Sequence, residues 1–134
     1  MKTNVLKVGM TNSCSVAVTQ ENTAAAAGSG LLPVFSTPHM IGLMENAAAS
    51  LMETALDEGE GSVGGGIEVT HTAATPIGMT VTATAELMSV ERRHLVFRVS
   101  ARDDAGVVGE GVHDRFVINK DAFMQKALQK KSRG

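Results

Sequence analysis

Thr37-Pro38-His39-Met40-Ile41-Gly42-Leu43-Met44-Glu45-Asn46-Ala47-Ala48-Ala49-Ser50-Leu51-Met52-Glu53-Thr54-Ala55-Leu56 is the stretch that decides the fold of this 134-residue chain. Thr37 suits a helix N-cap, Pro38 suits the first helical position, where its missing N–H costs nothing, and good helix formers continue to about Leu56. Met40, Ile41, Leu43, Met44, Ala47, Ala48, Ala49, Leu51, Met52 and Ala55 fall on nearly every face, and a helix apolar all round belongs in an interior. Something must wrap it. The charges wait until Glu53, Asp57, Glu58 and Glu60, where Gly59 and Gly61 end the pattern and predict a solvated loop.

The residues downstream supply the wrapping. From Ile67 the period changes from helical to alternating, predicting strands near 67–74, 80–90, 94–102 and 107–118. Pro76-Ile77-Gly78, Glu91-Arg92-Arg93 and Asp103-Asp104-Ala105-Gly106 make short connections, the last with strong hairpin chemistry. No crossover helix intervenes, so the sheet is antiparallel. Upstream, residues 5–20 are rich in Val and small polar residues and predict an extended ribbon or hairpin, and Thr23 through Gly28 predicts one capped helical turn. Asn119 caps a short amphipathic end helix carrying Phe123, Met124, Ala127 and Leu128, before a frayed basic tail, Lys130-Lys131-Ser132-Arg133. The simplest α+β architecture for these elements is a hotdog fold, a curved antiparallel sheet of about five strands around one long central helix. It forms one domain over residues 1–134, with 120–134 as terminal helix and tail. One such layer pair covers the helix incompletely and exposes a sheet edge, so dimerisation through edge strands is expected.

Composition narrows the partners. With 43% hydrophobic and 19% charged residues the chain lies outside the signature of disorder. A net charge of -2 is too little basic excess to hold a polyanion, and aromatics are four Phe alone, without the stacking platforms used on single strands, so nucleic acid is disfavoured. Cys14 is a lone cysteine with no metal-ligand spacing around it, which fits a reducing cytosol. The first residues lack the apolar stretch of a secretory signal, and the best apolar stretch, Leu31 to Met52, is interrupted by Pro33, Pro38, His39, Glu45 and Asn46, so no membrane span is expected.

The polar residues that interrupt apolar surfaces are the candidates for chemistry. Glu45 has Ile41, Gly42, Ala48, Ala49 and Met52 as helical neighbours, and a carboxylate projecting from such a stripe is an acid–base group, a structural partner for an arginine, or a residue at an exposed gap in the helix. His71 shares strand parity with Ile67, Val69 and Ala73, on the face that should press onto the helix, where it could meet Glu45. Thr37 needs no role beyond capping, yet a hydroxyl at a buried helix start also suits a substrate carbonyl. Thr37 and Glu45 are about 12 Å apart along a continuous helix, so one site using both needs an irregular helix start or a second subunit. Gly64-Gly65-Gly66 permits close approach by a ligand or is simply a flexible loop end, and Arg115 can pair with a carboxylate or phosphate if its face of the last strand is the buried one. His39, His94 and His113 are not spaced as metal ligands and read as surface or supporting residues.

Four stretches then carry a resemblance: Glu21-Asn22-Thr23-Ala24; Leu32-Pro33-Val34-Phe35-Ser36-Thr37-Pro38 with Met44-Glu45-Asn46-Ala47-Ala48; Gly64 through Val69-Thr70-His71; and Gly111-Val112-His113-Asp114-Arg115-Phe116. From about Val5 to Asn119 the chain resembles the fluoroacetyl-CoA thioesterase-like branch of the hotdog superfamily, with threonine, glutamate and histidine in that branch's order and spacing. The resemblance implies hydrolysis of an acyl-CoA substrate by a homodimer or higher oligomer, without metal or organic cofactor, through a Thr–Glu–His constellation. Carried over by position, it implies Thr37, Glu45 and His71 as catalytic residues, and Gly64 and Arg115 as contributors to substrate placement. The branch member specialised for fluoroacetyl-CoA carries aromatic lid residues before the central helix. The corresponding stretch here, Gly28-Ser29-Gly30-Leu31-Leu32, has none, so the implied activity is thioester hydrolysis of a small or medium acyl-CoA with the acyl group left open. A hotdog enoyl-CoA hydratase and a non-catalytic acyl-CoA or small-ligand binder stand as the other readings. The intact set of three weighs against the binder.

Overall fold

The computed structural model describes residues 1–2 and 4–133, the side chain of Arg133 excepted. Five strands, β1 (Thr11–Ala17), β2 (Glu60–His71), β3 (Thr80–Glu91), β4 (His94–Asp103) and β5 (Gly106–Asn119), form one antiparallel sheet in the order β1-β3-β4-β5-β2. Helix α1 (Ala24–Ala27) is a single capped turn, α2 (Thr37–Glu53) is the central helix, and α3 (Lys120–Arg133) follows β5. The sheet bends around α2 with the help of register shifts at Gly64/Gly66, Leu87/Ser89 and Ala101/Arg102, because a bulge adds local twist and curvature.

The core is made where sheet and helix meet. Met40, Met44, Ala47, Ala48, Leu51 and Met52 of α2 press on the inward alternation Val81, Ala83, Ala85, Leu87 of β3 and Leu95, Phe97, Val99, Ala101 of β4. Small alanines on the strands leave room for the unbranched methionines, which fill irregular gaps in place of aromatic rings. Each fully buried Val, Leu, Phe or Met side chain contributes roughly 1.5–3 kcal/mol, so this one seam carries most of the fold.

Several expectations change. The helix cap is Ser36, whose hydroxyl accepts from the His39 N–H at 3.1 Å, so Thr37 is already the first helical residue. The helix stops at Glu53, although Ala55 and Leu56 remain buried. It is not covered all round: Pro38, Gly42, Asn46 and Ser50, one every four residues, line an exposed stripe, because the sheet of a single chain curves around one side only. The predicted ribbon or hairpin over residues 5–20 contains one strand, β1, which pairs with β3 at the sheet edge. The expected loop holds over residues 54–59, where Gly59 turns the chain with φ 84°, but it ends there: Glu60 and Gly61 already belong to β2 and pair with β5. Glycines carry no side-chain alternation, so the period that reveals a strand is silent there. They are required all the same, since a Cβ on Gly65 would lie 2.5 Å from the Phe116 ring. The basic tail expected to fray is helical to Arg133, begun as expected by Asn119, whose side chain accepts from the Ala122 N–H at 2.9 Å. No helix among the described residues is long and apolar enough to cross a membrane.

Candidate active site

The start of α2 and the end of β2 meet. With Ser36 capping the helix, the Thr37 hydroxyl is available for another partner, and its Oγ1 lies 2.7 Å from His71 Nδ1. His71, the last residue of β2, is half-buried, and its Nε2 is buried with no hydrogen-bond partner among the described residues. Burial pushes the His71 imidazole below its ordinary pKa, opposed in part by the Ala73 backbone, so the ring is held neutral near pH 7. Thr37 and His71 open on a hollow of 270 Å³ lined also by Ala24, Ser29, Val34 and Ala74.

Glu45 is not there. The expected meeting of Glu45 with His71 is replaced within one chain by the Thr37–His71 pair, because two helical turns, about 12 Å, separate Thr37 from Glu45. Glu45 lies over Gly64 near the other end of β2, where a Cβ on Gly64 would stand 3.2 Å from Glu45 Oε2, 3.3 Å from His113 Cε1 and 3.6 Å from Arg115 Nη1. Absence of a side chain at Gly64 is what lets three functional groups converge. Arg115 Nη1 stands 3.9 Å from Glu45 Oε2, beyond hydrogen-bond length, and the Glu45 side chain is 41% exposed rather than sunk in an apolar stripe. This second hollow, of 220 Å³, is lined by Glu45, Gly64, Gly65, Gly66, Ile67 and His113.

Arg115 faces inward, which resolves the parity of β5: Gly109, His113, Arg115 and Val117 are buried, while Val112 and Phe116 point outward. Its guanidinium donates from Nε to Ser62 Oγ at 3.1 Å and from Nη2 to the Ser62 carbonyl at 3.2 Å. His113, read from sequence as a surface or supporting residue, is only 1% exposed and bonds both Arg115 Nη1 and the Gly66 carbonyl. The apolar residues on the other face of β5 hid it, although its parity with Gly109, Gly111 and Arg115 was a usable signal. His39 and His94 stay outside this centre; His39 bonds Ser36, and His94 pairs with Asp114 at 2.8 Å on the outer face and stacks on Phe116. Gly64 to His71 is about 23 Å of extended strand, so the two hollows lie well apart along β2.

Comparison with known proteins bears on this arrangement. A family model for fluoroacetyl-CoA-specific thioesterase, FlK, matches residues 18–121. The fluoroacetyl-CoA thioesterase of Streptantibioticus cattleyicolor is 54% identical over 101 residues, 75% of this chain and 73% of that protein. A solved structure of the fluoroacetyl-CoA thioesterase FlK superposes with a TM-score of 0.89 at 44% identity, covering 93% of this chain and 97% of the other. A thioesterase superfamily member from Thermus thermophilus gives 0.88 at 27% identity over 95% and 94%, and a hot-dog-like protein from Thermanaerovibrio acidaminovorans 0.86 at 26% over 95% and 94%. The curved sheet around α2 is thus a hotdog fold, and the chain belongs to the fluoroacetyl-CoA-specific thioesterase family.

Proposed function

We propose that the chain is an acyl-CoA thioesterase, hydrolysing a small or medium acyl-CoA to the free acid and CoA at a site built from both half-sites of a homodimer. The observation that carries this reading is the His71 ring. Nδ1 is engaged by Thr37, and Nε2 is buried without a hydrogen-bond partner among the described residues. With Thr37 donating to Nδ1, Nε2 carries the proton and calls for an acceptor, and a carboxylate is the acceptor of matching chemistry.

A second copy supplies it. β2 is an edge strand with a row of backbone groups unpaired within the chain. Antiparallel pairing of β2 with its copy about a two-fold axis between Ile67 and Glu68 sets Gly64, and the Glu45 above it, opposite the partner's His71. Two identical composite sites result. In each, Glu45 provides the basic oxygen that attacks the thioester carbonyl or activates water, His71 orients that carboxylate and relays the proton to the departing thiolate, and Thr37 holds the carbonyl or attacking group. Gly64 gives the acyl group room and Arg115 sets positive charge beside Glu45. The single cysteine, Cys14, suits a reducing cytosol.

Release of free thiol from a panel of short and medium acyl-CoAs tests the activity. Absence of release across the panel, or full turnover in Glu45→Ala, overturns it, and loss of enoyl absorbance without thiol would show a hydratase instead. Repeated turnover in labelled water, followed by mass analysis of Glu45, distinguishes a covalent anhydride, which deposits label there, from direct attack by water, which does not.

A further inference from the structure

Two bonds fix the state of the buried His113 ring. Its Nδ1 is 2.7 Å from the Gly66 carbonyl, which can only accept, so Nδ1 carries the proton. Its Nε2 is 3.2 Å from Arg115 Nη1, which can only donate, so Nε2 offers its lone pair. His113 is therefore the neutral Nδ1–H tautomer; an imidazolium would set N–H against N–H and a second cation against the guanidinium.

Arg115 is thus gripped on both sides, Ser62 holding Nε and Nη2 while His113 holds Nη1. Nη1 is also the nitrogen that faces Glu45, and it stops 3.9 Å short of Oε2. A buried guanidinium beside a carboxylate ordinarily closes to a direct charge-assisted bond of about 2.8 Å. Here the imidazole takes one of the two Nη1 hydrogens and, with Ser62 on the other side, fixes the fork where Nη1 stays beyond hydrogen-bond length of Glu45.

We propose that His113 is a positioning residue that restrains Arg115 from closing on Glu45, so that the carboxylate receives positive charge without being sequestered. The inference rests on the reading of Glu45 as the reacting carboxylate. When the Nε2 acceptor is lost, Nη1 turns to Glu45 as its nearest replacement, and the ion pair occupies the oxygens the reaction needs.

The test separates the two ring nitrogens. His113→Asn retains a donor for the Gly66 carbonyl and loses the acceptor for Arg115, whereas in His113→Gln the amide oxygen reaches the Nε2 position and accepts from Arg115. We expect kcat to fall by roughly a hundredfold in H113N, the scale of a misplaced catalytic group, with KM changing by less than about threefold, and H113Q to recover most of the loss. Independently of turnover and of any variant's folding, nitrogen-15 NMR of the wild-type protein should show His113 as the Nδ1–H tautomer. An Nε2–H or doubly protonated His113 near pH 7 overturns the proposal, as do equal losses in H113N and H113Q. Full activity in Glu45→Gln would instead remove the reading of Glu45 and the positioning role with it, a failure distinguishable because the tautomer would still be observed as expected.

Discussion

If each site draws Glu45 from one chain and the Thr37–His71 pair from the other, two inactive variants should restore one another. Glu45→Ala and His71→Ala are each expected to lose turnover alone. Within a chain, about 12 Å of helix and about 23 Å of strand separate these half-sites, so neither mutation disturbs the other's surroundings. Refolded together at equal concentration, the two variants pair at random and about half of the dimers are mixed. A mixed dimer has one site with both lesions and one with none, so the population should recover about one quarter of wild-type activity. Thiol release from a good acyl-CoA substrate measures this directly. The pairing rule supplies its own control: Glu45→Ala with Thr37→Ala should also recover, whereas Thr37→Ala with His71→Ala should not, because those two residues share a half-site. Activity that stays at the level of the separate variants in the first mixture, while dimers form, would refute the composite site.

Three further outcomes follow from the same structure. Because burial depresses the His71 pKa below its ordinary 6.5, the unfolded chain binds the proton more readily, so His71 adds stability that is complete above that value and lost as pH falls through the lowered one; chemical denaturation between about pH 5 and pH 8 should show a shallower acid loss in His71→Gln. Gly42→Ala and Gly111→Ala should move melting in opposite directions: a Cβ at Gly42 meets nothing within 4 Å on a helix, where Ala is better by about 0.5–1 kcal/mol. A Cβ at Gly111 would overlap the Glu68 carbonyl oxygen, and the strain of separating β2 from β5 should exceed the roughly 1–3 kcal/mol of ordinary overpacking. Arg115→Lys should lower kcat although the charge is retained, since the three hydrogens of an ammonium radiate from one nitrogen and cannot reach partners set opposite three separate nitrogens of the fork; wild-type kinetics in this variant would contradict the site's dependence on the fork.

How much of this was legible in the sequence depends on whether side-chain pattern encodes the feature. The α2 run and the alternations of β3 and β4 announced themselves, because burying one face of each requires apolar residues at the matching period. The first half of β2 did not, since its glycines are selected by what lies over them, the Phe116 ring at Gly65 and the three polar groups at Gly64. Ser36, not Thr37, caps α2, and the sequence does not separate the two because cap choice turns on one residue's backbone angles rather than on a pattern. Glu45 and His71 stand out in the sequence by their apolar neighbours and Thr37 by its place at the helix start, but that Thr37 rather than Glu45 meets His71 within one chain does not, because contact across α2 and β2 depends on where the strand ends relative to the helix start. His113 was hidden by an inverted strand, whose outer face carries Val112 and Phe116 while its inner face carries Gly109, His113 and Arg115.

That inversion follows from the position of β5 between β4 and β2. At one end its inner face must accept the helix closely, and Gly109 does so, where a Cβ would stand 2.5 Å from Met40 Sδ. At the other end the same face backs Gly64 and Glu45, and there the inward residues are His113 and Arg115. A buried cation is tolerated only with its hydrogens placed, and all three of its nitrogens find partners: Ser62 Oγ, the Ser62 carbonyl and His113. The polar end of β5 is therefore organised before any substrate arrives. The Thr37–His71 end is not, because His71 Nε2 has no partner among the described residues. On the proposed reading this asymmetry is why assembly and activity are linked: pairing two copies along β2 brings the end that is already satisfied to the end that still needs an acceptor.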